Sequence, residues 1–188
     1  ENQGSEETQR LASGDTRLAL NRPPGQDLRL SYRSEIDGTD QPYALYVPSN
    51  YTRKRPWPLI VNLHGTSAGM GTDLVGQMSK NYSANQNAMF HWAAERHGVL
   101  LTTPYGRGVT EFRGIGENDV FCVLAEIEKK YYVDRDRVSL TGLSMGGTAS
   151  YEMALNHPGF FSAVAPIGAA HSFHWLATNG EHTPFWCI

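Results

Sequence analysis

Apolar positions along the chain change period several times, and each change marks an element. Leu28, Leu30 and Tyr32 alternate with polar neighbours, as do Tyr43, Leu45 and Val47. A period of two is the mark of a half-buried strand. Ile36-Asp37-Gly38-Thr39 supplies turn residues between the runs, so 28–47 is predicted to be a β-hairpin. Pro58-Leu59-Ile60-Val61-Asn62-Leu63 is a short continuous apolar run, the pattern of a buried strand. Asn87 to His97 carries Met89, Trp92 and Ala93 on one face and stops at Gly98, which predicts a helix. Val99 to Thr103 is a further strand, ending in the loop Pro104-Tyr105-Gly106-Arg107-Gly108. Val120, Val123, Leu124, Ile127 and Tyr131 follow helical spacing and predict an amphipathic helix over 119–132. Asp134-Arg135-Asp136-Arg137 is expected to be a charged turn. A strand at 138–141, a helix at 148–156 stopped by Pro158-Gly159, and a strand at 161–167 follow. Pro184 to Ile188 has the pattern of one more strand beginning. Residues 1–27 are polar, with scattered Gly, Pro and Ser, and are expected to form a flexible leader ahead of one domain over 28–188. Strands alternating with helices predict an α/β class, with a mostly parallel sheet covered on both faces. Ligands of such sheets bind beyond the carboxyl ends of the strands.

The chemistry is concentrated where the strand at 138–141 meets the helix at 148–156. Between them stands Gly142-Leu143-Ser144-Met145-Gly146-Gly147. Strand, Gly-x-Ser-x-Gly, helix is the context of a nucleophile elbow, in which a tight turn pushes a serine hydroxyl into the open. Side chains at 142 and 146 are expected to collide with the neighbouring strand and helix, hence Gly142 and Gly146. The helix N-terminus favours negative charge developing at Ser144. A second signal lies after Leu63, in His64-Gly65-Thr66-Ser67-Ala68-Gly69. A buried strand running into His-Gly and small residues is where the other half of an oxyanion hole is expected. The expected donors are the backbone N–H groups of Met145 and Thr66. His64 itself is expected to be a hydrogen-bonding structural residue rather than a base. Tyr105 and Arg107 lie on a loop at the same end of the sheet and are candidate pocket residues, although an Arg in a Gly-rich loop is as readily a turn residue.

Composition narrows the classes. The chain has 188 residues, 40% hydrophobic and 19% charged, enough for one domain with a real core. A net charge of −3 argues against a nucleic-acid surface. The pairs Lys54-Arg55 and Lys129-Lys130 read as solvated surface. No run approaches the ~20 apolar residues of a membrane-spanning helix. The His and Cys residues are scattered, with no metal-ligand spacing, so no metal or organic cofactor is expected. Cys122 falls in the apolar helix pattern and is expected to be buried; its redox state and that of Cys187 are left open. Asn50-Tyr51-Thr52 and Asn81-Tyr82-Ser83 fit the glycosylation triplet, which carries little weight by itself.

Leu63-His64-Gly65, Pro104 to Gly108, Gly116-Glu117-Asn118-Asp119-Val120 and the block from Asp136 to Gly147 resemble the esterase branch of the α/β-hydrolases. The similarity is to polyhydroxybutyrate-depolymerase-like and feruloyl-esterase-like enzymes, with prolyl-oligopeptidase-type peptidases as neighbours, and it covers roughly 28–188. The resemblance implies an α/β-hydrolase fold and cleavage of a small-molecule or polymeric ester through an acyl-enzyme on Ser144. It also implies a Ser-acid-His triad, and secretion or a periplasmic location. Oligomeric state stays open. In that family the acid and the His follow the serine in chain order. No Asp occurs after Asp136, and the remaining carboxylates after Ser144 are Glu152 and Glu181. The acid, the His and the last strands are therefore expected beyond Ile188. The first residue is Glu1, so a cut or partial chain is expected. His171 and His174 follow the strand next to the elbow; substrate contact or surface placement is expected of them before a role as base. Two alternatives stand beside the esterase: a non-catalytic hydrolase-like chain, and a prolyl-oligopeptidase-type serine peptidase. The peptidase is the weaker, because such enzymes carry a large domain ahead of the hydrolase part.

Overall fold

The computed structural model describes residues 25–66, 84–170 and 174–188, with the backbone alone at 26, 84–89 and 174. Of the leader expected over 1–27, the part to residue 24 lies outside the described residues. Gln26 and Asp27 pair with Val47 and Tyr46 as the start of the first strand, which corrects that boundary. The segment Ser67-Ala68-Gly69, the triplet at Asn81 and His171 also lie outside the described residues. So do the side chains of Met89 and His174.

Strand β1 (Gln26–Arg33) and strand β2 (Asp40–Val47) form the expected antiparallel hairpin, with Leu28 opposite Leu45 and Leu30 opposite Tyr43. β3 (Trp57–Leu63), helix α1 (Ala84–His97), β4 (Leu100–Pro104), α2 (Ile115–Lys130), β5 (Val133–Leu143), α3 (Met145–Asn156) and β6 (Ala163–Ile167) follow. A 3-10 helix at His174–Gly180 comes last. The strand order is β1-β2-β4-β3-β5-β6. β2 pairs antiparallel with β4; β4, β3, β5 and β6 run parallel. The run at Pro184–Ile188 lies along β6. Val164 N donates to Pro184 O at 2.9 Å, Trp186 N to Val164 O at 2.9 Å and Ile188 N to Pro166 O at 3.1 Å. It is a further parallel edge, as its pattern predicts.

Period two separates the two faces of the sheet. Leu59, Val61, Leu63, Leu140 and Val164 share a core with Val120, Val123 and Ile127 of α2 and Ala149 and Met153 of α3. Residues one step out of phase, Tyr46, Ile60 and Leu101, pack with Phe90 and Ala94 of α1 in a second cluster. Helices therefore cover both faces.

Three local expectations are corrected. The charged segment 134–137 is not a turn but part of β5. Val133 pairs with Trp57 and Val138 with Leu59, so residues 134–137 stand opposite Pro58 alone. A proline has no N–H for the ladder, and the strand bulges there. Helix α2 starts at Ile115, a turn earlier than 119, after Gly114 at φ 56°. Its first turn lacks the apolar repeat from which the sequence predicts a start. Cys122 is half-buried, its Sγ 3.4 Å from Asn118 Oδ1; Cys187 is exposed, and both are free thiols.

The crossing of α3 over the sheet depends on missing side chains. A Cβ on Gly146 would stand 2.1 Å from Leu63 O, and one on Gly142 would stand 2.4 Å from Gly146 O. A Cβ on Gly147 would stand 2.3 Å from Ile167 O. All three obstacles are backbone, so nothing can swing aside. Gly146→Ala is expected to cost about 3 kcal/mol or more, at or beyond the top of the usual overpacking range. Gly159 is the control: it has φ 79° and nothing within 4 Å of an added Cβ. Gly159→Ala should cost only the left-handed penalty, about 1 kcal/mol. Urea unfolding of the two variants beside the parent measures the difference.

Candidate active site

β5 ends at Leu143, and α3 begins at Met145. Ser144 is the single residue between them, at φ 57° and ψ −114°. A β-substituted residue avoids this region, and occupying it costs of order 1–3 kcal/mol. Two backbone bonds hold it there. Ser144 N donates to Ile167 O at 2.9 Å, and Thr148 N donates to Ser144 O at 2.9 Å. The residue is exposed, while Met145, Gly146 and Gly147 beyond it are buried. Its side chain thus stands in the open at the carboxyl end of the parallel strands, at the N-terminus of α3.

The turn after β3 comes up beside it. A Cβ on Gly65 would stand 3.2 Å from Leu143 O and 3.7 Å from Ser144 Cβ. Thr66 is exposed on this turn. His64 is buried, and both ring nitrogens face backbone: Nε2 stands 2.8 Å from Tyr105 O and Nδ1 3.0 Å from Gly65 O. The Phe112 ring packs on the imidazole at 5.0 Å between centroids.

The loop between β4 and α2 is fixed from several sides. Asp119, on the buried face of α2, is fully buried. Gly106 N donates to its Oδ2 at 2.9 Å, and the Tyr32 hydroxyl of β1 donates to its Oδ1. Arg107 does not point into a pocket, which corrects that expectation. Its guanidinium donates to Asp37 Oδ2 at 2.6 Å, Ser34 Oγ at 2.8 Å and Thr39 Oγ1 at 3.2 Å, and its Nε lies 3.6 Å from Asp119 Oδ1. The arginine thereby ties the loop to the hairpin turn. Tyr105 is half-buried, with its carbonyl on His64. On the other side of the loop, Arg113 Nε donates to Glu152 Oε2 of α3 at 2.9 Å. Burial pushes the Asp119 carboxyl above its ordinary value, against the pull of the Tyr32 hydroxyl, the Gly106 amide and Arg107. Burial and the bond to Asp119 push the Tyr32 phenol up. The Arg107 bond, helped by Thr39, holds Asp37 well below the usual carboxylate range. Sequence reasoning missed Asp119 as a site-supporting group. The signal was available: a carboxylate four residues before Val123, on the apolar stripe of a helix.

No histidine that the structure describes reaches Ser144 as a base from an evident position. His64 is engaged with Tyr105 and Gly65. His91 stacks on Tyr46 on the α1 side, and His157 contacts Glu117. Glu181 and His182 precede the run at 184–188, which is parallel to β6, so they lie at the end of the sheet opposite Ser144. Among the described residues, no group of three or more His, Cys, Asp or Glu is arranged to hold a metal ion. No helix of the described residues is long and apolar enough to cross a membrane.

The strand order, the strained serine and the turn after β3 together match a known fold. The feruloyl esterase module from Clostridium thermocellum superposes with a TM-score of 0.62 at 16% identity, over 89% of this chain and 68% of that one. The chain has the α/β-hydrolase fold. Sequence similarity is feruloyl-esterase-like. The probable feruloyl esterase C of Aspergillus flavus is 26% identical over 130 residues, 68% of this chain and 46% of the relative. The bifunctional acetylxylan esterase/xylanase of Neocallimastix patriciarum is 28% identical over 148 residues, 76% of this chain and 20% of the relative. The chain thus spans less than half the length of these curated relatives. The prolyl oligopeptidase family matches over residues 111–186, which include the elbow.

Ser144 carries the strain of this turn, and glycine does not feel it. Ser144→Gly is expected to match or exceed the parent in thermal stability, because relief of about 1–3 kcal/mol outweighs a glycine entropy cost of about 0.5–1 kcal/mol. A clear drop in melting temperature would show that the hydroxyl holds the turn instead of being exposed by it.

Proposed function

We propose that the protein is a serine hydrolase of carboxylic esters with Ser144 as nucleophile. The observation that carries this is the backbone of Ser144 at φ 57° and ψ −114°, exposed at the carboxyl end of β5. The hydroxyl oxygen attacks the ester carbonyl, and its proton passes to a general base. The carbonyl oxygen becomes an oxyanion held by the amides of Met145 and Thr66. Collapse of the tetrahedral intermediate expels the alcohol and leaves an acyl-enzyme, which water then cleaves. The base and its orienting acid are assigned to chain outside the described residues. The names of the relatives suggest acyl groups such as acetate or ferulate, carried on a small or polymeric alcohol. Secretion fits such substrates.

Peptidase activity is the second reading, favoured by the match to the prolyl oligopeptidase family. Both readings use the same nucleophile, so substrate choice separates them. The full-length protein is expected to turn over p-nitrophenyl acetate and methyl ferulate and to leave Xaa-Pro amides intact. The reverse pattern would make it a peptidase.

A fluorophosphonate probe on the full-length protein should give one adduct, at Ser144, located by peptide mapping. No adduct on folded protein would support a non-catalytic chain, and labelling elsewhere would remove Ser144 as nucleophile.

Thr66 is expected to act through its amide. Thr66→Ala should keep most activity, whereas Thr66→Pro removes the N–H and should lower kcat about 100-fold or more. Equal rates in the two folded variants would show that the amide is unused.

A further inference from the structure

We infer that Thr148 is a positioning residue: its hydroxyl holds residues 168–170 as the wall of the substrate pocket on the β6 side of Ser144. The inference rests on the serine-hydrolase reading and adds a specificity-setting group to it. It starts from where β6 ends. The Ile167 carbonyl accepts from Ser144 N at 2.9 Å, so the last residue of β6 touches the nucleophile's own backbone. Gly168 follows at φ 61°, in the left-handed region that favours glycine, and a Cβ there would stand 3.9 Å from Ser144 N. Two residues on, Ala170 N donates to Thr148 Oγ1 at 2.9 Å. Thr148 is buried, about one helical turn after Ser144. Gly168, Ala169 and Ala170 are all exposed. The segment therefore runs beside Ser144, open to solvent, from the end of β6 to the first turn of α3.

That side of the serine is the one an ester must use. β3 and β6 flank β5 on opposite sides. Thr66, the proposed oxyanion donor, follows β3, so the carbonyl oxygen is drawn to the β3 side. An ester carbon is trigonal. Its acyl chain and its alkoxy group both point away from its carbonyl oxygen, toward the β6 side and residues 168–170. These residues present only backbone and methyl groups. The position of the segment, not the size of a side chain, then sets the width left for the ester's larger substituent. Two bonds set that position. Gly168 N donates to Ile188 O at 2.8 Å at the near end, and Thr148 Oγ1 takes Ala170 N at the far end. Threonine is a weak helix former, and here its hydroxyl serves a neighbouring segment.

The test uses the full-length protein, with kcat expressed per fluorophosphonate-titrated Ser144. Thr148→Val keeps the shape and removes the acceptor. The wall then stands in place for a smaller fraction of the time, and apparent affinity falls by that fraction. A neutral hydrogen bond is worth roughly 2- to 10-fold in such an equilibrium. KM is accordingly expected to rise at least about 3-fold for methyl ferulate, whose acyl group is large, or for phenyl acetate, whose alcohol is large, with kcat within about 2-fold of the parent. Methyl acetate, small on both sides, should change less than about 2-fold in kcat/KM. Thr148→Ser keeps the oxygen and should retain parental KM. Ala170→Pro removes the N–H from the other end of the same bond, so Thr148→Val should add nothing in that background. Parental KM for both large esters, an equal change on methyl acetate, a fall in kcat at unchanged KM, or a full added effect in the Ala170→Pro background would overturn the inference while leaving the hydrolase reading intact. If Thr148→Val does not fold, Ala170→Pro alone takes its place with the same expectations. A parent protein that neither labels at Ser144 nor turns over ester would overturn the hydrolase reading, and this inference with it.

Discussion

The absence of three β-carbons holds this structure in its arrangement. Gly142, Gly146 and Gly147 bring the first turn of α3 against the backbone of β3 and β6, with Leu63 O and Ile167 O occupying the space where side chains would be. No other residue type permits that approach. The contact sets the height of α3 over the sheet. It also sets the one-residue turn from β5, and the turn dictates the backbone of Ser144. Exposure of the hydroxyl is a consequence of packing, fixed by backbone that cannot move without unpairing the parallel ladder of β3, β5 and β6.

The second constraint is electrostatic and reaches further along the chain. Asp119 draws together groups from β1, α2 and the loop after β4. Arg107 extends the network to Asp37 and Ser34 in the hairpin turn. The N-terminal hairpin is therefore more than an added sheet edge. It supplies the buried phenol and the turn acceptors that fix the loop beside His64. A buried carboxylate left unpaired would be strongly destabilising, and here it is met by a hydroxyl, an amide and a guanidinium. The network ties the loop at 105–113 to the hairpin, to α2 and to α3.

Much of this was legible in the sequence because the relevant signals are local. Period-two alternation located β1 and β2, and a continuous apolar run located β3. Gly-x-Ser-x-Gly between strand and helix located Ser144, since its steric reason lies within six residues. Long-range signals were less legible. Arg107 sits in a Gly-rich loop that faces the site end of the sheet, and only the fold shows that Ser34 and Asp37 capture it. The charged run at 134–137 looked like a turn because its residues favour one; the partner strand's Pro58 shows why it is a bulge instead. Asp119 stood in plain view on an apolar stripe, yet a carboxylate there gains meaning only once Gly106 and Tyr32 are known to meet it.

Strain is distributed in the same way as these contacts. The described residues other than glycine with positive φ are Ser144, Arg107, Glu111 and Phe112. All four lie on connections that leave the carboxyl ends of β4 and β5, where a parallel sheet exposes its ligand face. Each such residue costs of order 1–3 kcal/mol and persists only where its surroundings over-determine it. For Ser144 the surroundings are the glycine contacts and the bond to Ile167 O. For Arg107 they are the hairpin acceptors, and for Phe112 a buried position against His64. The opposite end of the sheet shows no such residue among those described. Core packing by the buried faces of α2 and α3 offsets the strain, so one end of the sheet supplies stability that the other end converts into fixed geometry around Ser144.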